Sequence, residues 1–286
     1  MAHVTRRRVL TGLGATVAAV LAPPAGSAFA DGRKRGPRPL WRAHAHNDYE
    51  HPRPLLDALD HRFGSVEADI FLVDGELLIA HSADQLDPTR TLESLYLAPL
   101  AARVKANRGS VYRGYRQPLQ LLIDIKTEGS STYLELDRQL VRHKGLFTTF
   151  AHGRVHPGAV TAVISGDRAA RTPMEAQTVR RAFYDGRLAD LGTSESSFAS
   201  LISDNWTLNF TWPGVGAFPE AERQKLRSIV GAAHARGQQV RFWATPDLAG
   251  PARDALWAEL LAAGVDYLNT DDLAGLEAFL DAHRTA

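Results

Sequence analysis

Glu67 and Asp69 stand two residues apart in the run from Ser65 to Val73, whose other members are apolar or small. If that run is a strand, both carboxylates leave it on the same face. An unpaired buried carboxylate is costly and oxygen ligands suit Mg²⁺ or Ca²⁺, so the pair points to one divalent cation. Asp74-Gly75 then marks a hairpin turn, and Leu77, Leu78 and Ile79 lead back to His81. A turn centred on Asp74 with Gly75 left-handed pairs position 67 with position 81 and sets His81 beside the acids. A tight two-residue turn points it to the opposite face instead. A structural reading stands beside the metal one, in which Glu67 and Asp69 form an ion network with Lys126 and a buried Arg.

Such a cluster needs a scaffold that brings distant segments together. Strand-like runs occupy 40–46, 65–73, 119–126, 160–165, 183–186, 199–204, 239–244 and 266–270, and the clearest helices 54–61, 132–143, 219–236, 251–263 and 273–282. Gly237 and Gly264 fall where helix C-caps belong. Eight strands alternating with helices predict an α/β fold, a single-domain (β/α)₈ TIM barrel over 40–286. No glycine-rich phosphate loop follows any strand.

Chemistry in such a barrel sits at the C-terminal ends of its strands. There the first strand ends in His44, His46, Asn47 and Asp48, the second carries Glu67 and Asp69, and its hairpin returns His81. The third carries Asp124 and Lys126, the seventh ends in Trp243, and the eighth in Asn269, Asp271 and Asp272. Asn47 is a candidate for substrate contact, although Asn47, Asp48, Asn269 and Asp271 read more readily as residues that cap or stabilise loops. Trp206, Phe210 and Trp212 are expected to be exposed, either lining the pocket or dipping into a lipid surface.

Residues 1–30 read differently: Arg6, Arg7 and Arg8 precede an apolar stretch too short to span a bilayer, and Ala28-Phe29-Ala30 reads as a cleavage site. This predicts a bacterial twin-arginine-type signal and a secreted or cell-envelope protein, with 31–39 a basic linker. Removing three arginines and no acid takes the formal charge from +1 to −2, which argues against a nucleic-acid binder. With no cysteine, any metal is held by His, carboxylates and carbonyls.

Taken together, His at the end of strand one, Glu-x-Asp on strand two, Asp-Gly with a returning His, and Asp124-x-Lys126 resemble the phospholipase C-like phosphodiesterase superfamily. That group includes glycerophosphodiester phosphodiesterases, phosphatidylinositol phospholipases C and sphingomyelinase D toxins. The segments His44 to Tyr49, Val66 to Ile70 and Thr91 to Leu100 look closest to the branch with the fungal altered-inheritance-of-mitochondria proteins. The resemblance implies that Glu67, Asp69 and Asp124 hold one divalent cation, Mg²⁺ or Ca²⁺. It also implies that His81 and a strand-one histidine are acid and base, that Lys126 meets a phosphate oxygen and that Trp243 lines the pocket. The glycerophosphodiesterase pattern His-Arg-Gly with Glu-Asn-Thr is absent, which leaves His44 and His46 as rivals and the substrate open.

The expectation is therefore a secreted, metal-dependent phosphoric diester hydrolase, a monomer acting on a small phosphodiester or lipid head group, with transient contact to a membrane surface. The chemistry suits the residues: a cation and a lysine neutralise charge gathering on the phosphoryl oxygens, and two histidines move protons. A glycoside hydrolase would need two acids flanking the scissile bond, generally from different strands, and gives the histidines no role. A non-catalytic ligand-binding barrel is the third reading.

Overall fold

Near-continuous apolar runs such as Leu119–Ile125 and Val160–Gly166 are what a parallel sheet covered on both faces requires. In the computed structural model, which describes residues 36–283, the strands are β1 (Leu40–Ala45), β2 (Phe63–Val73), β3 (Glu76–Ile79), β4 (Leu119–Ile125), β5 (Thr149–Ala151), β6 (Arg154–His156), β7 (Val160–Gly166), β8 (Ala182–Gly186), β9 (Leu201–Asn205), β10 (Gln239–Trp243) and β11 (Leu268–Thr270). The helices are α1 (Leu56–Asp60), α2 (Ala98–Ala106), α3 (Gly129–Arg142), α4 (Arg171–Glu175), α5 (Trp206–Asn209), α6 (Glu220–His234), α7 (Pro251–Ala263) and α8 (Leu273–Ala282). The N-terminal signal expected at 1–30 and the first half of the linker lie outside the described residues.

Parallel pairing runs β10-β9-β8-β7-β4-β2-β1-β11. A parallel bridge between Arg241 and Tyr267, with Tyr267 N–H donating to Val240 O at 3.2 Å, brings β11 onto β10 and closes the ring. The expected (β/α)₈ barrel is the observed fold.

Alternation along the strands sorts the interior into layers. Leu122, Val163, Phe183, Leu201 and Tyr267 form a separate apolar cluster that plugs the barrel. Two residues further along the same strands, on the same face, stand Asp124, Ser165, Asp185, Ser203 and Asn269. Cross-strand register sets Asp69 opposite Asp124 and Asp124 opposite Ser165. A polar layer thus rests on a dry floor at the C-terminal mouth.

The β2–β3 connection is the tight form of the hairpin. Asp74 and Gly75 both have positive φ (49° and 84°), and Val73 pairs with Glu76. That register alone would carry His81 away from the acids. However, β3 ends at Ile79, whose N–H bonds to Arg90 O, so His81 lies beyond the ladder and turns back to the mouth.

Gly166, at φ +80°, ends β7 with no space for a side chain: an added Cβ would collide with Ile125 O and Asp124 Oδ1. Gly75 has similar φ but open space around it. Gly75→Ala is expected to bear only the left-handed penalty of about 1–2 kcal/mol, a fall in Tm of roughly 2–8 °C. Gly166→Ala should add about 1–3 kcal/mol of overpacking, so calorimetry should show a clearly larger fall for it than for Gly75→Ala.

Candidate active site

Oxygen atoms of Glu67, Asp69 and Asp124 lie within 4.8 Å of one another at the mouth. Lys126 Nζ bridges two of these acids, 3.0 Å from Asp69 Oδ2 and 3.2 Å from Asp124 Oδ1. Arg241 holds the third, with its guanidinium 3.2 Å from Glu67 Oε2. Both cations of the structural reading are therefore present, yet two cations leave three carboxylates undercompensated. Burial and the charge of Glu67 push Asp69 up to about 6 even with Lys126 beside it. Burial likewise raises Asp124 against the pull of Lys126. Asp69 Oδ1 is buried with no hydrogen-bond partner, an orphaned acceptor of the kind a bound cation satisfies. The three carboxylates therefore fit a divalent ion.

Glu67 is fixed from below. Gln120 Nε2–H donates to Ser65 Oγ (2.9 Å), Ser65 Oγ lies 2.7 Å from His44 Nδ1, and His44 Nε2 lies 3.0 Å from Glu67 Oε2. With Ser65 donating to Nδ1, His44 carries its proton on Nε2 and donates it to Glu67. Burial drives the His44 pKa down to about 3, with Arg241 adding to the effect. Burial pushes Glu67 up, but Arg241 and His44 outweigh it and hold the carboxyl well below its ordinary value. The contact is thus a neutral imidazole donating to a carboxylate. Both supports of Glu67 fall on Oε2, which commits that oxygen to the protein. Arg241 Nε–H in turn donates to Asn269 Oδ1 at 3.1 Å.

Of the two rival histidines, His44 is wholly buried with both ring nitrogens engaged, whereas His46 opens onto the mouth. His46 Nδ1 is 2.8 Å from Asp271 Oδ1 and 3.1 Å from Asn47 Nδ2. One nitrogen cannot donate to the first and accept from the second; the charged, closer Asp271 takes the proton, which leaves Nε2 available to a ligand. Burial lowers the His46 pKa, but the Asp271 hydrogen bond and the charge of Glu67 outweigh it and leave it raised.

His81 Nδ1 lies 3.0 Å from the Tyr49 hydroxyl and 3.5 Å from Asp69 Oδ2. The same hydroxyl is 2.6 Å from Asp69 Oδ2 and 2.8 Å from Asn47 Oδ1. Its single proton goes to the carboxylate at 2.6 Å, so the phenol oxygen accepts from His81 Nδ1–H and Nε2 of His81 is left bare. Asn47 itself is in the left-handed region (φ 46°). Across the mouth from β1 stands β8, where Arg187 donates to Asp185 Oδ2 (2.8 Å), a fully buried acid that also accepts from Ser165 and Ser203. Half-buried Trp243, at the end of β10, stands across from Asp124.

The AIM6-like phosphodiesterase domain model matches residues 38–185, more than half of the chain. The chain belongs to this phosphodiesterase family. A glycerophosphoryl diester phosphodiesterase family model also matches residues 239–274, which include Arg241, Trp243 and Asp271. An altered inheritance of mitochondria protein 6 homolog of Arthroderma benhamiae is 29% identical over 82% of this chain and 82% of its own. The protein of that name from Eremothecium gossypii is 29% identical over 84% of this chain and 69% of its own. Among solved structures, a glycerophosphodiester phosphodiesterase from Agrobacterium tumefaciens aligns over 84% of this chain and 97% of its own, at a TM-score of 0.44 and 15% identity.

Family membership corrects one expectation outright. These curated relatives are fungal proteins named for mitochondrial inheritance, which overturns the reading of a secreted bacterial protein exported by a twin-arginine-type signal. The structure corrects two more. Trp206, Phe210 and Trp212 are not exposed but buried, stacked in a cluster with Phe218 and Phe242. Asp271 and Asn269 are not loop caps but partners of His46 and Arg241. Sequence reasoning missed Tyr49, Arg241 and Arg187. Only Arg241 left a legible signal, an arginine inside an apolar strand two residues before Trp243 and so on its face.

Two outcomes are expected. Adding Mg²⁺ or Ca²⁺ should raise Tm, with about 2.7 kcal/mol of stabilisation at a hundredfold excess over Kd. Asp69→Asn should abolish that rise in a scanning fluorimetry titration. His44, depressed in the folded chain, contributes stability that is full above pH 6.5 and is lost as the pH falls from 6.5 towards 3. Urea unfolding at pH 7 and pH 5 should therefore show wild type losing about 2 kcal/mol more than His44→Gln, which keeps a donor but cannot titrate.

Proposed function

We propose that this family member is a metal-dependent phosphoric diester hydrolase that acts, as a monomer, on a lipid head group or related small phosphodiester, with transient contact to a membrane surface. The observation that carries this reading is the convergence of three carboxylates within 4.8 Å with Lys126, His46 and His81 at one barrel mouth. Glu67, Asp69 and Asp124 would hold Mg²⁺ or Ca²⁺, which supplies Lewis-acid stabilisation of phosphoryl oxygens.

Charge supports a diester over a monoester. Three carboxylates set against Arg241, Lys126 and a dication leave one positive charge, which a phosphodiester monoanion neutralises and a monoester dianion exceeds. Lys126 meets a non-bridging oxygen. His46, its basicity raised by Asp271, takes the nucleophile's proton at Nε2. His81, held at Nδ1 by Tyr49, picks up a solvent proton at Nε2 and passes it to the leaving oxygen. Trp243 and Asn47 line the space between them. A glycosidase is poorly served, because the acids crowd one side of the mouth on adjacent strands.

Turnover of bis(p-nitrophenyl) phosphate is expected to disappear in EDTA and return with Mg²⁺ or Ca²⁺. His46→Ala and His81→Ala should each lower kcat by about 10²- to 10⁴-fold with Tm little changed. Turnover indifferent to EDTA, or an unimpaired His46→Ala, would sink the proposal.

A further inference from the structure

The loops after β9 and β10 stand on the same face of the barrel as His46 and Lys126. From Asn205 to Pro219 the chain carries no charged residue, and from Phe242 to Ala252 only Asp247. That carboxylate is occupied by Thr270 Oγ1 and Asp271 N–H, each at 2.7 Å. On these loops Leu208, Val215 and Leu248 are 80%, 69% and 89% exposed, while no other exposed large hydrophobic among the described residues exceeds 55%. Isolated apolar residues on a surface are ordinary; the three most exposed ones on two adjoining loops of one rim are not.

They belong to one unit. The Trp206 indole N–H donates to Trp212 O at 2.9 Å and the Trp212 indole N–H to Val215 O at 3.0 Å. Gly214 is packed so closely on the Ala252 backbone, at the start of α7, that no side chain fits between the loops. Beneath them Trp206 stacks on Phe210 and Trp212 on Phe218, with ring centroids 4.2 and 4.6 Å apart. The aliphatic tips are therefore presented by a rigid aromatic base, and covering them requires little further ordering.

We propose that this rim docks the protein on a lipid surface, with Leu208, Val215 and Leu248 entering the boundary of the acyl chains and the mouth facing the phosphate layer. The role of docking rests on the phosphodiesterase reading above; the docking itself does not require turnover. Residue type favours lipid over a protein partner. Protein interfaces draw their binding energy mainly from Trp, Tyr and Arg, with Leu and Val under-represented among hot spots, and here the aromatic residues are buried while aliphatic ones protrude. The rim has no free charge to fix the register of a protein partner. At its base Lys225 Nζ donates to Asn209 O at 2.7 Å, next in the chain to Leu208. Because the tips are uncharged, attachment is governed by apolar insertion and tolerates salt.

The test is cosedimentation with phosphatidylcholine vesicles, comparing wild type with Leu208→Asp/Val215→Asp/Leu248→Asp. The wild type should bind in both 0.1 and about 0.5 M NaCl, since an uncharged rim is not screened. The triple variant should bind at least tenfold more weakly, with unchanged Tm and unchanged turnover of bis(p-nitrophenyl) phosphate. Failure of the wild type to bind, equal binding by the variant, loss of binding at high salt, or a rim-dependent dimer in sedimentation velocity without vesicle binding would each overturn the proposal. Rim-dependent vesicle binding without any diester turnover would leave docking standing and remove the phosphodiesterase reading instead.

Discussion

Three carboxylates crowded above an apolar plug are the constraint that the rest of the mouth answers. Each has lost most of its water, and their mutual repulsion is strong in so poorly solvated a place. Arg241 and Lys126 offset part of it, and they do so unequally. Arg241, buried with Glu67, keeps that acid ionised; Lys126, shared between Asp69 and Asp124, leaves both raised. The remaining deficit sits on Asp69, whose Oδ1 has no partner. A site of this kind is left short of positive charge, the kind of deficit that a bound cation offsets.

The groups around the acids divide into those fully engaged by the protein and those with one nitrogen left open. His44, Ser65 and Gln120 form a relay of donors ending on Glu67, and every ring nitrogen in it is used. His46 and His81 differ from His44 in having only Nδ1 held, by Asp271 and Tyr49 respectively. A histidine anchored at one nitrogen keeps a defined tautomer while the other nitrogen can exchange a proton with a ligand. The fold achieves this by small differences in height: His44 points into the barrel below the acids, and His46, two residues on, reaches the rim.

Much of this was legible in the sequence. The central barrel strands, such as Leu119–Ile125 and Val160–Gly166, fall on apolar runs that stand out without help, since parallel strands buried on both faces permit few polar residues. Glu67, Asp69, Asp124 and Lys126 were visible because a charge within such a run is conspicuous. The hairpin was also visible, but its consequence was misjudged: the turn is tight, and His81 still reaches the acids because the ladder stops at Ile79. Strand ends depend on what the next segment pairs with, here the chain around Arg90, which local pattern does not record. The aromatic residues after β9 failed as surface residues for a related reason. Composition marks them as apolar without saying which ones a neighbouring helix and strand will cover.

Sequence alone determined the fold class, the acids and the candidate bases, because periodicity and isolated charge within apolar segments are local properties of a chain. Only the tertiary structure buried His44 with both nitrogens engaged and left His46 open at one, paired Arg241 with Glu67, set Tyr49 between Asp69 and His81, and moved the exposed apolar rim from Trp206, Phe210 and Trp212 to Leu208, Val215 and Leu248. Those outcomes depend on barrel closure, which brings β11 against β1 across more than 200 residues of chain and β10 against β11. Contacts made at that separation are fixed by packing geometry, and no short stretch of residues encodes them.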